Sequence, residues 1–142
     1  MPAKEFKIAT MNLYNLQLPN KEMYRGRKMK KEVYEGKILW TAEILKKVNA
    51  DVIGFQELWH PDALEEAFKT AGLLDSYDLA TMLDKEGVTV ALAAKKPLEI
   101  VHSKWEKQVP NELILKKDKK RQALEPDYKI DVNIENFSRF FS

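Results

Sequence analysis

The sequence predicts an α/β chain, α+β in the wider sense, that opens with a parallel strand–helix–strand unit and continues mainly in strands. Three observations predict it. Phe6, Ile8 and Thr10 alternate with Lys7 and Ala9, which is the period-two signature of a strand. Tyr34, Ile38, Thr41, Leu45 and Val48 recur at spacings of three and four, the stripe of a helix with one buried face. Val52, Ile53 and Phe55 then form a short apolar run. Two strands joined by a helix pair in parallel, because the crossover returns the chain to the end it started from.

Each element has a local justification. The first strand is expected over Glu5–Leu13, and Pro19-Asn20 marks the loop after it. The stretch "KEMYRGRKMKKE" follows, with six basic residues and two acids. A helix over Glu32–Val48 comes next, with Asn49 at its end, and the second strand spans Val52–Gln56. In "HPDALEEAFKTAG", Pro61 suits a first helical turn, Asp62, Glu65 and Glu66 favour the N-terminal half through the helix dipole, and Gly72 suits the stop. Leu64, Ala67, Phe68 and Ala71 make its apolar face. Apolar runs near Tyr77–Leu83 and Val88–Ala94 flank the turn "DKEG" and read as a hairpin. Leu98–Val109 and Tyr128–Ile134 are further strand candidates, with "KKDKKR" between them as a solvated loop.

Composition narrows the class. The chain has 142 residues, enough for one ordinary domain, and 44% hydrophobic with 32% charged residues is globular rather than disordered. Twenty-four Lys and Arg against 22 Asp and Glu leave a net charge of +2, which favours no particular partner. With no Cys, disulfides, thiolate nucleophiles and Cys-ligated zinc are excluded. No segment approaches the ~20 apolar residues of a membrane span, and no secretory signal is visible. A cytoplasmic protein without membrane insertion is the expectation.

One residue resists the strand pattern. In "DVIGFQELW" the apolar run passes into Gln56 and Glu57 before Leu58 and Trp59. Burying a carboxylate is costly unless it is paired or bound to a metal. In a parallel unit both strands open their carboxyl ends onto one crevice, the usual ligand site of α/β proteins. Asn12 and Glu57 are expected there together. Such a pair can hold Mg²⁺, which takes oxygen ligands and often only one or two carboxylates, with water and phosphate completing the shell. The plainer alternative is that Glu57 caps the following helix and Asn12 starts a turn.

"FKIATMNLYNL" followed by "ILKKVNADVIGFQELW" resembles the opening of the endonuclease/exonuclease/phosphatase family, which includes deoxyribonuclease-I-like nucleases, apurinic endonucleases, sphingomyelinases and inositol-phosphate phosphatases. Asn12 matches the Asn that closes its first strand, and Gln56-Glu57 matches its Gln-Glu pair. "GVTVALAAKKPLEI" is similar to the following segment, although Ala94-Lys95-Lys96-Pro97 stands where the family has a Ser-Arg-x-Pro turn. The resemblance runs from about Lys4 to Leu98, and weakly to Arg139. It implies that residues 1–142 are a partial domain, the N-terminal half of a two-sheet β-sandwich with outer helices, deoxyribonuclease-I-like and incomplete. It also implies Mg²⁺, or Mn²⁺, held by Glu57 with help from Asn12, and a phosphate-ester substrate, nucleic acid foremost.

The same resemblance calls for more. A later Asp-x-Asn and a final Asp-His pair belong to the family's site. "DVN" at Asp131–Asn133 has the first form but lies inside an alternating run and reads as a strand with an outward Asp. His102 reads as a surface residue, and His60 as the start of a helix. "ENFSRFFS" has Phe140 where the family has Pro, which implies a truncated product that is inactive alone, with apolar strand faces left open. Its partners would then be a separate C-terminal half or a second copy. A second class of function is a non-catalytic binder of nucleic acid or phosphate. Lys21, Arg25, Arg27, Lys28, Lys30 and Lys31, with Lys116, Lys117, Lys119, Lys120 and Arg121, would contact phosphates, and Tyr24 and Tyr34 would stack.

Overall fold

A computed structural model of the chain describes residues 5–84, 87–105 and 116–125. The chain divides into two compact units, Met1–Ser103 and Lys104–Ser142. The first unit holds β1 (Ile8–Leu16), α1 (Lys31–Val48), β2 (Val52–Leu58), α2 (Pro61–Thr70), β3 (Tyr77–Ala80) and β4 (Thr89–Lys95). The second holds α3 (Lys116–Leu124).

The strands form one mixed sheet in the order β1-β2-β4-β3. β1 and β2 run parallel, and β4 is antiparallel to both β2 and β3. The parallel unit and the hairpin are therefore as the sequence predicts. The amino end of the parallel pair is stitched by Asp51. Its carboxylate accepts from the Lys7 N–H at 2.8 Å, and its own N–H donates to the Lys7 carbonyl at 2.8 Å.

Period-two alternation sorts the sheet into two faces. Ala9, Met11, Leu13, Ile53, Phe55, Tyr77, Leu79, Ala91 and Ala93 pack against the helices. α1 contributes Tyr34, Ile38 and Leu45, and α2 contributes Ala63, Leu64, Ala67 and Phe68. The Phe68 ring meets Phe55 edge-on at 6.0 Å between centroids and Tyr77 at 5.2 Å. These offset geometries suit the ring quadrupoles. The opposite face carries Ile8, Thr10, Gln56, Val90 and Leu92. Ile8 is 76% exposed, and Val90 and Leu92 are 39% exposed, so this face is open at these residues, while Ala80 and Ala94 on the same face are buried.

Caps set the helix ends. Asn49 closes α1 in the left-handed region (φ 43°), its N–H bonded to the Leu45 carbonyl, a conformation Asn tolerates better than most residues. α2 begins with Pro61 at its first turn and His60 at the cap, whose Nδ1 accepts from the Asp62 N–H at 3.1 Å. Gly72 follows α2 with φ 70°.

Several expectations need correction. β1 runs to Leu16, so Asn12 is not its last residue, and β2 runs to Leu58. Residues 98–105 form no strand, and the remainder of Leu98–Val109 lies outside the described residues, as do Tyr128–Ile134, Asp131–Asn133 and "ENFSRFFS". The "KKDKKR" stretch is helical in α3, not a loop. Lys, Gln, Ala and Leu are good helix formers, and charge density alone does not remove that preference. Arg121 and Glu125, one turn apart, add an ion pair at 3.5 Å. Among the described residues no helix is long and apolar enough to cross a membrane.

Two outcomes test this packing. Phe68→Ala should cost about 3–5 kcal/mol in chemical denaturation, because a fully buried ring shared by β2, α2 and β3 is lost. The second concerns pH. Tyr77 donates its hydroxyl to the Ala50 carbonyl at 2.5 Å, and burial first, the Asp51 charge second, raise its phenol above the usual 10.0. Tyr34 is raised by burial, then by Glu66 and Asp62. The folded state thus holds protons that the unfolded chain releases near pH 10.0. The stability tied to these phenols is complete below that pH and is lost as pH climbs through the folded values. Tyr77→Phe should cost about 1 kcal/mol at neutral pH and should flatten the alkaline decline seen in thermal melts.

Candidate functional site

The carboxyl end of the parallel pair is shaped by a mismatch in strand length. β1 and β2 keep step from Ile8↔Val52 to Asn12↔Gln56 and meet again at Leu16↔Leu58. Between those points β1 has Leu13, Tyr14 and Asn15, while β2 has Glu57 alone. Against β4 the register moves from Phe55↔Ala91 to Leu58↔Thr89, so Gln56 and Glu57 oppose only Val90. Glu57 therefore occupies a bulge with respect to both neighbours. Bulges re-aim side chains and recur beside active sites. This one lets Phe55 and Leu58, three residues apart, both enter the core while Glu57 leaves it.

The backbone is strained here. Tyr14 (φ 52°), Asn15 (φ 57°) and Glu57 (φ 60°) all lie in the left-handed region. For residues with a Cβ that costs about 1–2 kcal/mol each. Such residues persist where surrounding structure over-determines them, and they cluster at functional sites.

Side chains supply that over-determination. The Asn15 N–H donates to Glu57 Oε2 at 3.1 Å. Trp59 donates its indole Nε1–H to Asn15 Oδ1 at 3.0 Å and its backbone N–H to the Leu16 carbonyl at 2.8 Å. Asn12 Oδ1 accepts from the Tyr14 N–H at 2.7 Å. Thr10 and Gln56 exchange hydrogen bonds across the strands at 2.9 and 3.2 Å. From α1, Lys37 donates its ammonium to the carbonyls of Tyr14 and Asn15 and lies 5.3 Å from the centre of the Tyr14 ring. Burial pushes that ammonium below the usual lysine range, and the negative charge of Glu57 opposes the shift.

The structure thus brings Asn12, Gln56 and Glu57 to one end of two adjacent strands. Asn12 is exposed, and Glu57 is half-buried. The plainer alternative holds for Asn12, which starts a turn. It fails for Glu57, because His60 caps α2. The donors present are one carboxylate and two side-chain amides, all oxygen donors, and that chemistry suits a hard cation such as Mg²⁺. Among the described residues no three of His, Cys, Asp and Glu converge. A cation here would take Glu57 as its only carboxylate from these residues and draw its remaining shell from water and substrate.

Other candidates fall elsewhere. Lys21, Arg25, Arg27, Lys28, Lys30 and Lys31 are all exposed; the first four lie on a tight excursion closed by the Glu22↔Lys28 bridge and the Asn20 N–H to Met29 carbonyl bond, whereas Lys30 is the cap of α1 and Lys31 its first residue. Tyr24 is 54% exposed but stands edge-on to Trp59, 4.7 Å between centroids. Tyr34 is in the core at 9% exposure, so it cannot stack on a ligand base, contrary to expectation. Lys119, Lys120 and Arg121 are exposed on α3, and His102 is exposed. Trp59 and His60, just after Glu57, line an open groove of about 500 Å³ with Gln17, Lys21, Glu22 and Asp84.

Sequence reasoning missed Asn15, Lys37 and Trp59. Asn15 carried a signal, since Asn is among the few residues that accept φ > 0 and it sits beside Tyr14 in an otherwise strand-like run. Lys37 carried none, being one of several lysines along a helix. No family model, curated protein or solved structure matches the chain.

Strain at Asn15 can be separated from its hydrogen bonds. Asn15→Ala and Asn15→Gly both remove the Trp59 acceptor, but only Ala keeps the left-handed penalty. Equilibrium unfolding should find the Ala variant less stable than the Gly variant by about 1 kcal/mol.

Proposed function

We propose that this chain carries the metal-holding part of a Mg²⁺-dependent phosphoesterase of the endonuclease/exonuclease/phosphatase type, with Mn²⁺ able to substitute. The observation that carries the reading is the bulge at Glu57. A lone carboxylate is turned out of a core strand at a strained backbone position, beside Asn12 and Gln56, at the carboxyl end of a parallel pair. The order of these residues along the chain is that of the family's opening motifs. The exposed apolar residues Ile8, Val90 and Leu92 on that sheet face fit a deoxyribonuclease-I-like sandwich whose second sheet is supplied by further chain, a partner or a second copy.

When bound, the cation would supply Lewis-acid stabilisation of charge on phosphoryl oxygens. Glu57 would hold it, with one oxygen left for coordination while Oε2 stays bonded to the Asn15 N–H. Asn12 would orient the phosphate or a water. The exposed basic excursion between β1 and α1 favours a polyanionic substrate, nucleic acid foremost. General acid–base chemistry needs groups beyond these, because neither Asn12 nor Gln56 can exchange a proton near neutral pH.

Isothermal titration of the pure chain with Mg²⁺ should give one site, weakened about tenfold or more by Glu57→Gln. Hydrolysis of a phosphodiester substrate by the chain alone should be weak, since removing members of a catalytic unit removes most of its activity. Equal Mg²⁺ affinity in the Gln variant would refute the assignment of Glu57. Strong metal-dependent hydrolysis by the chain alone would refute the need for further motifs.

A further inference from the structure

We propose that Lys37 is the positioning residue of this site: its ammonium ties down the left-handed turn at Tyr14–Asn15 and so fixes where the Asn15 N–H holds the Glu57 carboxylate. The functional meaning of this rests on the reading of Glu57 as a metal ligand; the geometry does not.

The contacts define the role. The hydrogen-bond acceptors of Lys37 are the Tyr14 and Asn15 carbonyls, not the Glu57 carboxylate. An ammonium that served only to neutralise Glu57 would bond to its oxygens. Instead Lys37 grips the backbone of the two residues with φ 52° and φ 57°, and the second of these presents its N–H to Glu57 Oε2. Asn15 is gripped a third time, through Oδ1, by the Trp59 indole. The turn is thus held from α1 by Lys37 and from the end of β2 by Trp59. Removing either hold leaves two strained residues free to relax and carries the Asn15 N–H with them.

Position along the chain gives Lys37 this reach. It lies one residue before Ile38 of the buried stripe, on the flank of α1, and is half-buried rather than solvated. The Tyr14 ring, 5.3 Å away, covers the ammonium and favours a cation there. Burial holds the group below the ordinary lysine range, in keeping with an ammonium bonded to carbonyls instead of water. Lysine's three donors allow it to serve two carbonyls at once. Arginine can do the same with a planar fork, and methionine of similar length cannot.

The test is a set of ¹⁵N correlation spectra of the metal-free full chain, wild type, Lys37→Met and Lys37→Arg, followed by Mg²⁺ titration. The proposal expects the Asn15 amide and the Trp59 indole N–H signals to move in the Met variant and to stay near wild type in the Arg variant. Mg²⁺ affinity should fall about tenfold in Lys37→Met and be largely restored in Lys37→Arg. A lysine that merely stabilised α1 would lower the melting temperature without moving either signal, and that result would overturn the proposal. If the Met variant does not fold, the wild type decides. Its Lys37 ammonium should exchange slowly enough with water to give a discrete signal with contacts to the Tyr14 ring, and a fast-exchanging ammonium would refute the grip. Absence of Mg²⁺ binding in the wild type would overturn the metal reading of Glu57, while the metal-free spectra would still settle the part played by Lys37.

Discussion

Three residues on β1 face one on β2, and the carboxyl end of the sheet depends on that inequality. Leu13, Tyr14 and Asn15 must be accommodated against Glu57 between two points of regular pairing. The excess chain is absorbed by left-handed backbone, and the cost is borne by packing on both sides: Leu13 and Leu16 from β1 and Phe55 and Leu58 from β2 are all fully buried. Because those four residues are locked in the core, the mismatch cannot be relieved by sliding one strand. A one-residue slip would exchange the two faces of a strand. The result is a carboxylate held outside the core by residues that cannot move away from it.

Much of the fold was legible because it follows from burial periodicity. The stripe Tyr34, Ile38, Thr41, Leu45 and Val48 lies on the inner side of α1, and Leu64, Ala67 and Phe68 on that of α2. Asn49, Pro61 and Gly72 punctuate the helices as their backbone preferences require. What went astray depended on something other than periodicity. The "KKDKKR" stretch has strong intrinsic helix preference and no apolar pattern, so charge was a poor guide to its structure. Tyr34 shows the same ambiguity at one residue, since a tyrosine serves equally as a core ring and as a stacking platform, and only its place on the inner stripe decides.

The site was legible in part for a comparable reason. The acid within the apolar run from Val52 to Trp59 is visible in the residues themselves, because burying a carboxylate there is costly unless it is paired or bound to a metal. That signal located the carboxylate and, with the parallel unit, put Asn12 near it. The supporting residues are another matter. Lys37 acts through carbonyl groups, which carry no mark of residue type, and Trp59 acts through one indole N–H while its ring stands edge-on to Tyr24. Interactions with the backbone leave little trace in sequence, and the support of this site is built mostly from them.

Under the proposed function, Glu57 is held out of the core to bind a cation. Paramagnetic broadening by Mn²⁺ addresses it directly, because the effect falls steeply with distance from the ion. In ¹⁵N spectra of the full chain, substoichiometric Mn²⁺ should first erase the amides of Asn12, Asn15 and Glu57, and excess Mg²⁺ should restore them. Broadening centred on other acidic residues, such as Glu65 and Glu66 of α2, with Asn12 and Glu57 unaffected, would contradict the account.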